Sequence, residues 1–192
     1  MVMVPKVQDL TVRQFMKCAK IFKSEDDLID RYTEILSVLT GRPQQYFETI
    51  DTDLLKELFA QIPTFSLDGI KIKVNKKVFI KGKLFVSYPN PLEVTELKSD
   101  RYRDLKVFSE AGPDENLHNL LACVYSPSTW TLSPKKYLPK YHKVTAEAML
   151  DAKIKDVCGL VFFYSDVFEK LKVVIEIYLE GVIKEVMSLK EA

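Results

Sequence analysis

The sequence predicts an α+β fold that is predominantly helical, with an N-terminal helical unit, one β-hairpin and a long C-terminal helix. Three patterns carry this reading. Leu28, Tyr32, Ile35 and Leu39, flanked by Ile29 and Leu36, form an apolar stripe of helical period. Ile70, Ile72 and Val74 alternate with Lys71 and Lys73, as in a half-buried strand. Val157, Val161, Tyr164, Phe168, Leu171, Ile175, Tyr178 and Val182 step by four and three through a proline-free stretch from 154 to 189, a heptad-like seam.

In chain order, Thr11 is placed to cap TVRQFMKCAKIFK, and Ser24 is expected to cap EDDLIDRYTEILSVLT with three acids in its first turn. Gly41 ends that helix, and Pro43 suits the first turn of PQQYFETI. DTDLLKELFAQI then stops at Pro63, completing a helical unit over 10–63. The hairpin is expected over 68–88. A three-residue turn at Asn75 to Lys77 would put Val78 and Ile80 on the face of the preceding apolar residues. Thr95 caps ELKSDRYRDLKVFSE, and Gly112–Pro113 separates it from ENLHNLLACVYSP, giving two helices over 95–125. Residues 126–143 read as a loop rich in proline, aromatics and lysine, and a long helical segment follows over 145–190. Gly159 and Gly181 are the places where it would bend. No repeat or interdomain linker is visible, so 1–192 is expected to form one helix-rich domain.

Bulk properties bound the function. A hydrophobic fraction of 47% and a charged fraction of 29% are those of a globular protein with a sizeable core. Net charge +1 supplies no global attraction to nucleic acid or an anionic membrane. Cys18, Cys123 and Cys158 are far apart and odd in number, which suits buried thiols in a reducing compartment. MVMVPKVQDL lacks a signal-peptide pattern, and VCGLVFFYS, bounded by Asp156 and Asp166, is too short to span a bilayer. A soluble cytoplasmic product with no membrane role is expected. VCGLVFFYS is apolar on nearly all sides, so it should lie centrally or at an oligomer contact.

The sequence offers little for catalysis. It contains no G-x-S-x-G, H-E-x-x-H or phosphate-cradling glycine loop. His118 and Cys123, five apart on one helix, point in different directions. The spacing therefore argues against His118, Cys123 and His142 meeting for chemistry. Glu25, Asp26 and Asp27 sit where a helix start favours acids. No enzyme activity, metal or cofactor is expected.

Two binding surfaces remain. Lys71, Lys73, Lys76, Lys77, Lys81 and Lys83 make the hairpin basic, which suits nucleic-acid phosphates; the favoured reading is a solvated sheet edge protected from aggregation. The loop sets Trp130, Tyr137 and Tyr141 among Lys135, Lys136 and Lys140. Aromatics and lysines together stack on bases and meet phosphates. With proline they are also the composition of a protein-docking loop, which is the favoured reading. The protein-contact set is Trp130, Lys135, Lys136, Tyr137 and Tyr141; the nucleic-acid alternative adds the hairpin lysines.

The order of elements, through FKSEDDLIDRYTEILSVLTGRP, VNKKVFIKGK, VTELKSDRYRDLKVFSE and LHNLLACVYSP, resembles small virion and tail-assembly proteins of tailed bacteriophages, including tail assembly chaperone-like proteins. LHNLLACVYSP, a leucine-rich helix with a Tyr-x-Pro stop, is the most specific piece. The resemblance implies a non-enzymatic role in particle assembly, in the host cytoplasm or within the virion. The implied partners are other virion or tail proteins, or further copies of the chain.

Overall fold

A computed structural model describes residues 3–63, 65, 73–88 and 99–161. The fold is α+β and predominantly helical. A 3-10 turn at Val7–Asp9 leads into α1 (Val12–Phe22), α2 (Leu28–Thr40), α3 (Gln44–Glu48) and α4 (Thr52–Ala60). The strands β1 (Lys77–Ile80) and β2 (Lys83–Ser87) follow, then α5 (Ser99–Glu110), α6 (Pro113–Val124), β3 (Tyr125–Pro127) and α7 (Pro139–Met149). Residues 154–161 are helical and form α8.

Local chemistry accounts for several helix ends. Thr11 and Gln14 form a reciprocal capping box at the start of α1. Gly41 closes α2 at φ 71°, a left-handed conformation that glycine adopts without steric cost. The α2 start differs from expectation. Asp27, not Ser24, caps it by accepting from the Ile29 N–H at 2.8 Å. Ser24 instead donates its hydroxyl to the Ile21 carbonyl and belongs to the exit of α1. Pro43 is the N-cap of α3, and Asp51 caps α4 through the Asp53 N–H.

The hairpin is shorter and differently placed than 68–88. Its turn lies at Lys81–Gly82, not at Asn75 to Lys77, and Lys77 already pairs with Val86. Both turn residues have positive φ, 48° and 75°, as a primed two-residue loop requires. Lys-Gly satisfies that demand through the glycine, whereas Asn75 to Lys77 contains no glycine. Ile70 and Ile72, the expected outer-strand residues, lie outside the described residues; Val74 is irregular and exposed. A third strand was not anticipated. Tyr125–Pro127 pairs antiparallel with β2, so the sheet order is β1-β2-β3.

Two further boundaries move. The segment 126–143 is not all loop, because α7 begins at Pro139 with proline in its first turn. The helical segment expected over 145–190 is interrupted, with α7 ending at Met149 and the chain turning through 150–153. That turn receives the start of α1. Val12 and Arg13 donate their N–H groups to the Ala152 and Leu150 carbonyls at 2.9 Å, and Ile154 N–H donates to Leu10 O at 2.9 Å. Donors that α1 leaves unsatisfied internally are thereby paired, and the carbonyls at the end of α7 gain partners. The seam beyond 161 lies outside the described residues.

The main core draws Val12, Phe15 and Cys18 from α1, Leu117, Leu121 and Val124 from α6, and Ile154, Val157 and Cys158 from α8. Val78, Ile80 and Phe85 cover it from the sheet. A smaller cluster, Leu36, Phe47 and Leu58, joins α2, α3 and α4.

Candidate docking site

The candidate site starts at the end of α6. Tyr125 is fully buried, and its hydroxyl donates to the Asn75 carbonyl at 2.6 Å, tying β3 to the residues before β1. Ser128 N–H donates to Leu84 O at 2.9 Å and extends the pairing with β2 by one residue. Beyond it the chain reverses over 129–133.

That reversal is pinned by its own backbone. Thr129 N–H donates to Ser133 O at 2.7 Å, and Leu132 N–H donates to Thr129 O at 3.1 Å. Ser133 N–H donates to the Thr129 hydroxyl at 3.2 Å, and Lys135 N–H returns to Pro127 O at 3.1 Å. Leu132 adopts φ 59°, a conformation a branched side chain rarely takes and one the surrounding hydrogen bonds impose. The outcome is a small, braced tip carrying Trp130 at 94% exposure and Leu132 at 53%. The strand register puts this tip at the same end of the sheet as the Lys81–Gly82 turn.

The chain returning from the tip ends in a polar anchor at the other end of β3. Tyr137 is half-buried against the core, and its hydroxyl donates to Asp104 Oδ2 at 2.7 Å. The Tyr137 hydroxyl oxygen also lies 3.5 Å from Cys123 Sγ, and His142 Nε2 lies 3.7 Å from that sulfur. Phe108 stacks on His142 with ring centroids 5.5 Å apart, and Tyr88 packs edge-on against Tyr137. Arg101, also buried, donates Nε–H to the Cys123 carbonyl and lies over the Tyr88 ring. Asp104, Cys123, Tyr137 and His142, from α5, α6, the loop and α7, therefore converge beside the start of β3, at the far end of the sheet from the tip.

This convergence corrects the expectation that Cys123 and His142 stay apart. The start of α7 at Pro139 swings His142 back over α6. The arrangement nonetheless lacks the features of a nucleophile site. Burial pushes the Cys123 thiol up to about 12, and its side chain is fully enclosed. Burial also holds His142 below the usual imidazole range, partly opposed by its bond to the Asn119 carbonyl. In the tautomer that donates from Nε2 to Asn119 O, that nitrogen has no lone pair for the thiol proton. Burial raises the Tyr137 hydroxyl, with contributions from Cys123 and Asp104, so it remains a neutral donor. Among the described residues no group of three His, Cys, Asp or Glu is placed to hold a metal ion.

The anticipated contact residues therefore separate. Trp130 and Lys136 are exposed, while Tyr137 is turned inward and serves the anchor. Lys135 and Lys140 place their ammonium groups over the Tyr141 ring, at 4.9 and 5.0 Å. Lys73, Lys76, Lys77, Lys81 and Lys83 are exposed, and Lys81 pairs with Asp151 at 2.6 Å. Lys71 lies outside the described residues. One residue was overlooked. Phe79 sits between buried Val78 and Ile80 and is 78% exposed on the opposite face of β1. An aromatic out of phase with the buried positions of KVFI is the sequence signal for it. Among the described residues no helix is long and apolar enough to cross a membrane. No protein-family model, curated protein or solved structure matches this chain.

Proposed function

We propose that this chain is a protein-binding assembly or structural component of a tailed bacteriophage, docking to its partner through the Trp130 tip. The observation that carries the docking role is a nearly fully exposed indole on a backbone pinned at both flanks. A side chain of this size presents roughly 150–250 Å² for burial. At about 25 cal/mol per Å², covering it yields roughly 4–6 kcal/mol before ordering costs. Those costs are low here, because the tip is already held in one conformation. The phage setting rests on the resemblance in element order and on LHNLLACVYSP.

The test is co-expression with the products of the genes flanking this one. A complex should form, and Trp130→Ala should weaken it by about 30-fold or more, as for a central aromatic anchor, without changing the melting temperature. Unchanged affinity would remove Trp130 from the interface. Mass spectrometry of purified particles then separates the two roles: a fixed copy number marks a structural subunit, and complete absence marks a chaperone.

A nucleic-acid reading is favoured by one feature, the exposed Lys76, Lys77 and Lys83 on the sheet that also carries the Trp130 tip. It predicts retention of DNA or RNA that weakens steeply with salt. Retention unaltered by Lys76→Glu and Lys77→Glu together would dismiss the hairpin as its site.

A further inference from the structure

The edge of β1 is a second surface, independent of Trp130. Ser87 N–H donates to Lys76 O at 2.8 Å, and Val78 lies opposite Phe85. Positions 76, 78 and 80 therefore turn their backbone groups toward β2, and Lys77 and Phe79 turn theirs away from the sheet. Beside them runs an open cleft of about 470 Å³, whose far wall includes Asp151, Lys153 and Asp156. Five consecutive residues, Lys77 through Lys81, line it. A cleft over one face of a strand would meet alternate residues, so this one runs along the edge.

The geometry points to a strand-addition site: an extended, acidic segment of a partner protein pairs with β1 through the backbone groups of Lys77 and Phe79. The cleft opens onto this edge, and the exposed Phe79 ring supplies an apolar contact for alternate side chains. Charge selects an acidic occupant. Lys81 and Asp151 pair with each other across the cleft, which leaves Lys77 and Lys153 against Asp156. Lys73, Lys76 and Lys83 add exposed positive charge around the same hairpin. These lysines also deter pairing with neutral strands, so they favour acidic over indiscriminate partners.

The probe is an acetylated, amidated eight-residue peptide alternating glutamate and valine. The controls are the same peptide with a central proline, a lysine–valine counterpart and a single-stranded oligonucleotide. The glutamate–valine peptide should bind saturably and slow amide exchange at Lys77 and Phe79 by at least tenfold, leaving the already paired Val78 and Ile80 unchanged. Phe79→Pro removes one outward N–H and should abolish this binding, while Phe79→Val should retain it. If Phe79→Pro does not fold, the wild-type exchange pattern decides. Trp130→Ala should bind the peptide normally, so failure here is distinct from failure of the tip reading. Binding without protection at these two amides would overturn the proposal. So would a preference for the oligonucleotide, or protection that grows with protein concentration alone, which would make a second copy the occupant.

Discussion

Replacing Tyr137 with phenylalanine removes one oxygen from the anchor that fastens the chain returning from the Trp130 tip and leaves the ring contacts with Tyr88 and His142 in place. The lost bond is the 2.7 Å donation to Asp104, a hydrogen bond to a charged acceptor. Such bonds contribute about 1.5–3 kcal/mol when the orphaned partner stays dry. Asp104 is 33% exposed, so water partly replaces the missing donor. The expected cost is therefore about 1–2 kcal/mol, or roughly 2–8 °C in melting temperature for a chain of this size. Urea unfolding followed by far-ultraviolet circular dichroism is the appropriate assay. Trp130 is already 94% exposed, so its emission should change little on unfolding. A double-mutant cycle with Asp104→Asn should return a coupling of at least about 0.5 kcal/mol. A Tyr137→Phe cost below that value, or strict additivity with Asp104→Asn, would refute the anchor.

Gly82→Ala should destabilise by about 1–2 kcal/mol through backbone strain alone, since φ is 75° and an added Cβ meets nothing within 4 Å. Gly82→Asn should cost less in the same urea titration, because asparagine tolerates the left-handed region. Burial lowers both His118 and His142 from 6.5, so the unfolded chain binds more protons below that pH. Their contribution should be complete well above pH 6.5 and should shrink as the pH falls below it; His142→Gln should flatten that part of the melting-temperature profile. Cys18, Cys123 and Cys158 are all buried with thiols raised to about 12. A chromogenic disulfide reagent at pH 8 should label none of them within minutes and all three in denaturant, and rapid labelling of the native chain would contradict the enclosure of Cys123.

Features encoded within a few residues were legible in the sequence. The Thr11–Gln14 box, the Gly41 stop and the inward set Leu117, Leu120, Leu121 and Val124 each depend on neighbours along one helix. Trp130, read as a contact residue from the composition of its loop, is exposed in the fold. The local signals competed elsewhere. Ser24 and Asp27 are both acceptable caps, and Arg31, which donates to the Phe22 and Ser24 carbonyls, holds the exit of α1 that leaves Ser24 outside α2. The alternation of Ile70, Ile72 and Val74 drew the hairpin toward Asn75, although Lys81–Gly82 carries the glycine that the turn chemistry demands.

Amino-acid order alone determined the helix-rich composition, the buried thiols and the presence of an aromatic, lysine-bearing segment after α6. Tertiary structure decided where those pieces stop and which of them meet. Nothing in MLDAKIK interrupts a helix by propensity; the break arises because the start of α1 takes the carbonyls of Leu150 and Ala152. YSP becomes a strand because β2 offers it a partner edge. His142 reaches Cys123, nineteen residues away, because α7 folds back across α6 and Tyr137 fastens the intervening loop to Asp104. Periodicity records which face of an element is buried. It does not record against what, and that pairing sets both the anchor and the tip.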